Sequence, residues 1–151
     1  MIFRQATRND VQAIVAMIAD DELGKTRENF KIPLPKVYYA AFENINRDDN
    51  QELMVVEDQN SEIIGTLQLS FIQYLTYRGG IRAQIEAVRI RKENRGTGIG
   101  TEMVDWAIQR AKERNAHVLQ LTTDKKRPAA LEFYKKLGFK DSHEGMKMDL
   151  S

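Results

Sequence analysis

Cysteine is absent from this chain of 151 residues, and histidine occurs only twice. The first absence excludes a disulfide framework, a thiol nucleophile and any thiolate metal site; the second leaves His117 and His143 far apart and without ligand spacing, so no metal centre is expected. No apolar run approaches membrane-spanning length, and Met1-Ile2-Phe3-Arg4-Gln5 lacks the character of a signal peptide. The expectation is a soluble cytoplasmic protein with no membrane partner. Charge of either sign is not in excess, with 23 bases against 22 acids, which argues against a general nucleic-acid binder. What is present is a hydrophobic fraction of 42%, enough for one sizeable core, and residues 1–151 are read as a single domain.

The near-neutral total hides a local pattern. From Glu43 to Glu62 there are seven acids and one base. From Arg89 to Arg95 there are four bases and one acid, and from Asp124 to Lys136 five bases and two acids. Two basic stretches in an otherwise balanced chain suit a polyanionic ligand, although solvated helix and loop faces carry similar charge.

Ile2 to Gln5 reads as a short strand. Thr7, with Asp10 three residues on, then forms a helix-start signature ahead of the periodic set Val11, Ile14, Val15 and Ile18. A polar stretch broken by Gly24, Pro33 and Pro35 leads to a second helix that carries Val37, Ala40, Ala41 and Ile45. Strands are expected over 52–58, 62–74 and 81–91, a helix after the glycine loop ending near Asn115, a strand over 117–122, and a helix opened by Pro128 and closed by Gly138. Two short strands, 139–143 and 146–150, would close the chain. The resulting fold class is α/β: one mixed, mostly antiparallel sheet of about six to seven strands with about four helices.

The third long strand changes phase. Its apolar residues occupy odd positions at Ile81, Ala83 and Ile85 and then even positions at Val88 and Ile90. A period-two strand changes phase only with an extra residue, so a β-bulge is expected near Glu86-Ala87. A bulge releases backbone N–H and C=O groups from the ladder. Such groups can hold an amide-rich ligand or polarise a carbonyl.

Arg95-Gly96-Thr97-Gly98-Ile99-Gly100 lies between that strand and the next helix. So little side-chain bulk lets backbone N–H groups close on an anion, with the positive end of the helix dipole aimed at the same place. A nucleotide P-loop would need Lys and Ser/Thr after the last glycine, where this chain has Thr101-Glu102. A dinucleotide fingerprint would need a third small residue at the right spacing and an acid about 20 residues on, where this chain has Ala116-His117-Val118. Arg95, Gly98 and Gly100 do match, position for position, the Arg/Gln-x-x-Gly-x-Gly/Ala pyrophosphate loop of the GCN5-related N-acetyltransferases (GNAT). The segment from Arg127 to Phe139 resembles that family's second signature, Asn-x-x-Ala-x-x-x-Tyr-x-x-x-Gly-Phe. The chain therefore resembles this family from Glu52 to its C-terminus.

The resemblance implies acetyl transfer from acetyl-coenzyme A to a primary amine, in a ternary complex and with no metal. It also implies that the backbone N–H groups of Arg95, Gly96, Gly98 and Gly100, within the loop that includes Thr97 and Ile99, cradle the pyrophosphate. Ile90 would flank the pantetheine path. Gly98 and Gly100 also suit close helix–strand packing. The N–H of Val88 is the expected oxyanion donor. Tyr134 corresponds to the family's general acid: a phenol of pKa near 10 is protonated at neutral pH and can supply a proton to a thiolate whose thiol has a pKa of about 8.5. Yet Ala130, Phe133, Tyr134 and Leu137 share one helical face, so a core tyrosine is equally consistent with the spacing. An alkylamine of pKa about 10.4 arrives protonated and needs a base. Glu86, between Ile85 and Ala87 where desolvation would raise a carboxyl pKa, is the first candidate, against an outward-facing strand glutamate; Asp124 is the second.

Arg127 stands where the family pattern has asparagine, so the amide contact to the pantetheine arm gives way to a phosphate or charged-substrate contact by a guanidinium. The acceptor is expected to meet the connector over 20–35, where Asp20, Asp21, Glu22 and Glu28 would attract a cationic amine. A small amine is favoured over a protein N-terminus or lysine. A noncatalytic acyl-coenzyme A sensor or partner-binding module is the alternative of another class. Family habit implies a homodimer.

Overall fold

The computed structural model describes residues 1–151. Five strands form one sheet in sequence order: β1 (Ile2–Gln5), β2 (Gln51–Glu57), β3 (Ile63–Gln73), β4 (Ile81–Ile90) and β5 (Val118–Gln120). The first four pair antiparallel, and β5 joins β4 in parallel. The α-helices are α1 (Val11–Ala19), α2 (Lys36–Arg47), the single turn α3 (Thr76–Gly79), α4 (Ile99–Glu113) and α5 (Pro128–Lys136). The parallel β4–β5 pair requires a crossover, and α4 supplies it.

Alternation along the strands builds a core on each face of the sheet. Met54 and Val56 of β2, with Leu67, Leu69 and Phe71 of β3 and Ala83 and Ile85 of β4, meet Ile99, Met103, Ala107 and Ala111 of α4. Val55, one residue out of phase with its neighbours, instead joins Val11, Ile14 and Val15 of α1, Phe42 of α2 and Leu34 between them. The sheet thus lies between α1/α2 and α4. Asp10 fixes the entry to α1: buried at 6% exposure, its carboxylate accepts the Thr7 N–H at 2.7 Å and both Arg4 Nη atoms at 2.7 and 3.0 Å. A short 3-10 turn over Arg8–Asp10 precedes the α-helix that Thr7 was expected to open directly.

The sheet has five strands, not six to seven. Residues 139–143 and 146–150 are irregular, and Met146, Met148 and Leu150 are 92%, 83% and 89% exposed. Their period-two apolar pattern has no strand to pair with and no face to cover, so alternation alone does not make a strand there.

The expected bulge is present. Thr66 of β3 opposes Arg89, and Gln68 opposes Glu86, so Leu67 alone faces both Ala87 and Val88. Ala87 takes the left-handed backbone region with φ +52°. The extra residue returns Val88 and Ile90 to the face carrying Ile85, where all three pack with the α4 core. Glu86 and Arg89, three apart, consequently share the opposite face.

Candidate active site

The glycine loop follows β4 as a 3-10 turn over Lys92–Asn94, then turns sharply through Gly96 (φ +75°) and Gly98 (φ +89°) into α4. Both glycines sit in a region that L side chains rarely adopt, and a Cβ on either would meet nothing, so conformation rather than crowding requires them. Gly100 differs: its Cβ would lie 3.2 Å from Ile90 Cδ1 and 3.2 Å from Phe133 Cζ, where β4, α4 and α5 converge. Arg95 Nε donates to the Ile90 carbonyl at 3.1 Å and Thr97 Oγ1 to the Asn94 carbonyl at 2.6 Å, which brace the loop against the strand end. The first helical bond of α4 runs from the Glu102 N–H to the Gly98 carbonyl. From Gly96 through Thr101 the six backbone N–H groups have no acceptor within the chain. Consecutive free donors at a helix start, bordered by Arg91, Lys92 and Arg95, fit a diphosphate.

Beside this loop the two parallel strands part. β5 pairs with β4 only where Val118–Gln120 lie opposite Arg82–Gln84. From Ile85 onward β4 has no partner on that side, and this unpaired stretch contains Glu86, the bulge and Val88. Gln120 Nε2 donates to Gln84 Oε1 at 2.7 Å, and Gln84 Nε2 donates in turn to the Glu86 carboxylate. Glu86 is exposed, so the apolar enclosure expected around it is not there. Asp124 is exposed too, and its carboxylate accepts the Lys126 N–H at 2.8 Å as a turn cap.

Tyr134 projects from α5 between Phe133 and Phe139, with ring centroids 5.1 and 5.7 Å away in edge contacts. Burial raises its phenol pKa, while the Arg89 and Arg127 guanidiniums pull the other way without reversing the shift. The hydroxyl therefore stays protonated well above neutral pH.

The sequence reading missed the ion cluster beside this phenol. Asp21, in the connector after α1, is bonded by Arg127 Nη2 and faces Arg89 Nη2 at 3.6 Å. Burial would raise the Asp21 carboxyl, but the Arg127 hydrogen bond and the Arg89 charge outweigh it and hold the group below the usual carboxylate range. Asp21 is thus committed to arginines. Glu22 pairs with Lys25 at 3.1 Å, and Glu28 with Arg27 at 2.8 Å and the Tyr38 hydroxyl at 3.0 Å, which leaves Asp20 as the acid of that connector without a partner. Two signals were available in the sequence: Arg127, standing where the family pattern has asparagine, and Arg89, a charged residue just past a predicted bulge.

The profile of the Acetyltransferase (GNAT) family matches residues 16–139, and the chain belongs to that family. It is 27% identical over 140 residues to the aminoalkylphosphonate N-acetyltransferase of Salmonella typhimurium (strain LT2), a match spanning 93% of this chain and 85% of that protein. The fold superposes with a TM-score of 0.96 and 53% identity, over 99% of each chain, on a crystal structure described as a transcriptional regulator from Bacillus halodurans C-125. A predicted acetyltransferase with acetyl-CoA from Clostridium acetobutylicum superposes with a TM-score of 0.75 and 28% identity, over 99% of this chain and 96% of that one. The chain is accordingly an acyltransferase of a family that uses acetyl-coenzyme A. No helix is long and apolar enough to cross a membrane.

Proposed function

We propose that this protein moves an acetyl group from acetyl-coenzyme A directly onto the primary amine of a small molecule. The observation that carries the reading is one juxtaposition: six acceptor-free N–H groups from Gly96 to Thr101 lie at the end of a strand whose bulged half β5 leaves unpaired. A diphosphate on the first sets the thioester of an extended pantetheine arm alongside the second. The protein's relation to an aminoalkylphosphonate N-acetyltransferase supports a small amine over a peptide.

In this reading the amine nitrogen bonds to the thioester carbon while the carbonyl electron pair moves to oxygen, where the Val88 N–H receives it. Collapse of the tetrahedral centre breaks the carbon–sulfur bond, and the departing thiolate takes its proton from the Tyr134 hydroxyl. Glu86, exposed on the acceptor face, serves as base through a water. Ile90, packed against the core to which Ile99 and Met103 belong, gives the arm an apolar wall. No cysteine is available for an acyl-enzyme intermediate, in keeping with direct transfer.

The test is release of free thiol from acetyl-coenzyme A, screened against polyamines, amino acids, aminoglycosides and short peptides. Turnover with a free small amine is expected. Turnover restricted to peptides would make the protein a protein acetyltransferase, and cofactor binding without thiol release from any amine would make it a noncatalytic acyl-coenzyme A module.

A further inference from the structure

Two guanidiniums and one carboxylate meet beside Tyr134; Arg110 and Arg114 likewise share Glu52, but there Glu113 supplies a second carboxylate. Arg89 leaves β4 on the α1/α2 face and is 16% exposed. Its Nη1 donates to the Val88 carbonyl at 2.8 Å, its Nη2 stands 3.6 Å from Asp21, and its Nε is buried with no acceptor at all. Arg127, at the residue before α5, takes the direct bond to Asp21. Arg27 adds further positive charge near Arg89 but is paired with Glu28. A buried cation with an orphaned donor is costly unless something completes its hydrogen bonds. One Asp21 carboxylate cannot balance both guanidiniums.

We propose that Arg89 and Arg127 together bind an oxyanion carried by the acceptor, so that the substrate is a small zwitterion with its amine a few bonds from a carboxylate or phosphonate. This rests on the acetyl-transfer reading above. Arginine forks match a planar or tetrahedral oxyanion through paired N–H donors, and the partly buried setting strengthens each bond. Asp21 holds the two side chains together in the free protein, and the acceptor anion supplies the negative charge still missing. Because Arg89 is the first residue past the bulge on the face shared with Glu86, an anion held there places a nearby amine next to the unpaired stretch of β4. The departure at Arg127 from the family's asparagine is then a specificity feature, and it acts on the acceptor rather than on the pantetheine arm.

Three acceptors of matched length separate the outcomes: 3-aminopropanoate, 2-aminoethylphosphonate and 3-aminopropanamide, which keeps the amine but has no anionic group. Each is titrated calorimetrically into the free and the coenzyme A-loaded protein, and each is assayed for thiol release. At least one of the two anions is expected to bind, and to turn over in kcat/KM, about tenfold or more better than the amide, in line with loss of a charge-assisted pair. Whether carboxylate or phosphonate leads identifies the anion. In Arg89→Met and in Arg127→Met that preference should shrink toward unity, and Arg89→Lys should recover part of it without the fork. Equal binding of the anions and the amide by the wild-type protein overturns the proposal, as does a preference that survives in both methionine variants. The wild-type comparison stands even where a variant fails to fold. Selective binding of an anion without thiol release would support the arginine site while removing the acetyl-transfer reading, so the two failures are distinct.

Discussion

Tyr134 shows how one side chain can satisfy both a core and a chemical demand. Its ring belongs to the aromatic contacts that seat α5, and the same burial keeps its hydroxyl protonated. Tyr134→Phe retains the ring and removes only the proton source. Turnover should then fall by more than about tenfold, while coenzyme A affinity, measured separately by titration, stays nearly unchanged; unaltered turnover would end the acid role. Asp10 is the second informative residue, and it acts on stability. Burial would raise its carboxyl, but the Arg4 guanidinium and the Thr7 bonds outweigh that and lower it. A depressed folded-state pKa means the unfolded chain takes up a proton first. The stabilisation is therefore complete above the unfolded value of about 3.9 and is lost as pH falls through the folded one. Asp10→Asn should cost about 2 kcal/mol in urea melts at pH 7, and the gap to wild type should close as pH falls below 4.

At the scale of elements, the glycine loop and the bulge were both legible in the sequence because each is a local demand. Gly96 and Gly98 stand where the chain must turn left-handed, and the phase change between Ile85 and Val88 admits only an inserted residue. The Asp21–Arg89–Arg127 cluster was not legible. Its members lie on a connector, a strand and a helix start, and only the folded sheet brings them together. The two C-terminal strands were read from alternation at Met146, Met148 and Leu150, which the structure leaves exposed; a strand needs a partner, and sequence period does not supply one. The two kinds of glycine in the loop make a test. Gly98→Ala forces φ near +89° on a residue with a Cβ, at about 1–2 kcal/mol, and redirects the free N–H groups, so coenzyme A affinity should drop together with stability. Gly100→Ala meets Ile90 and Phe133 at 3.2 Å instead, and its main effect should be a lower melting temperature from displaced packing between α4 and α5. Thermal melts read beside coenzyme A titrations would distinguish the two, and a Gly98→Ala protein with full affinity would remove the loop from the binding site.

Over the whole molecule, the sheet acts as a partition. One face, with α4, carries Val88, Ile90 and the loop that suits the donor; the other, with α1 and its connector, carries Glu86, Arg89 and Asp21. The parting of β4 from β5 joins the two faces, and in the proposed reaction donor and acceptor approach from opposite sides and meet at the bulge. Basic residues gather in the loop and around α5 while the chain as a whole stays near neutral. In the proposed reaction, donor binding at the loop is the step on which every later one depends. Isothermal titration of folded protein with coenzyme A and with acetyl-coenzyme A measures it directly: the expected result is saturable one-to-one binding of both, weakened by added salt as the basic loop is screened. A folded protein that gives no binding heat with either ligand would contradict the account.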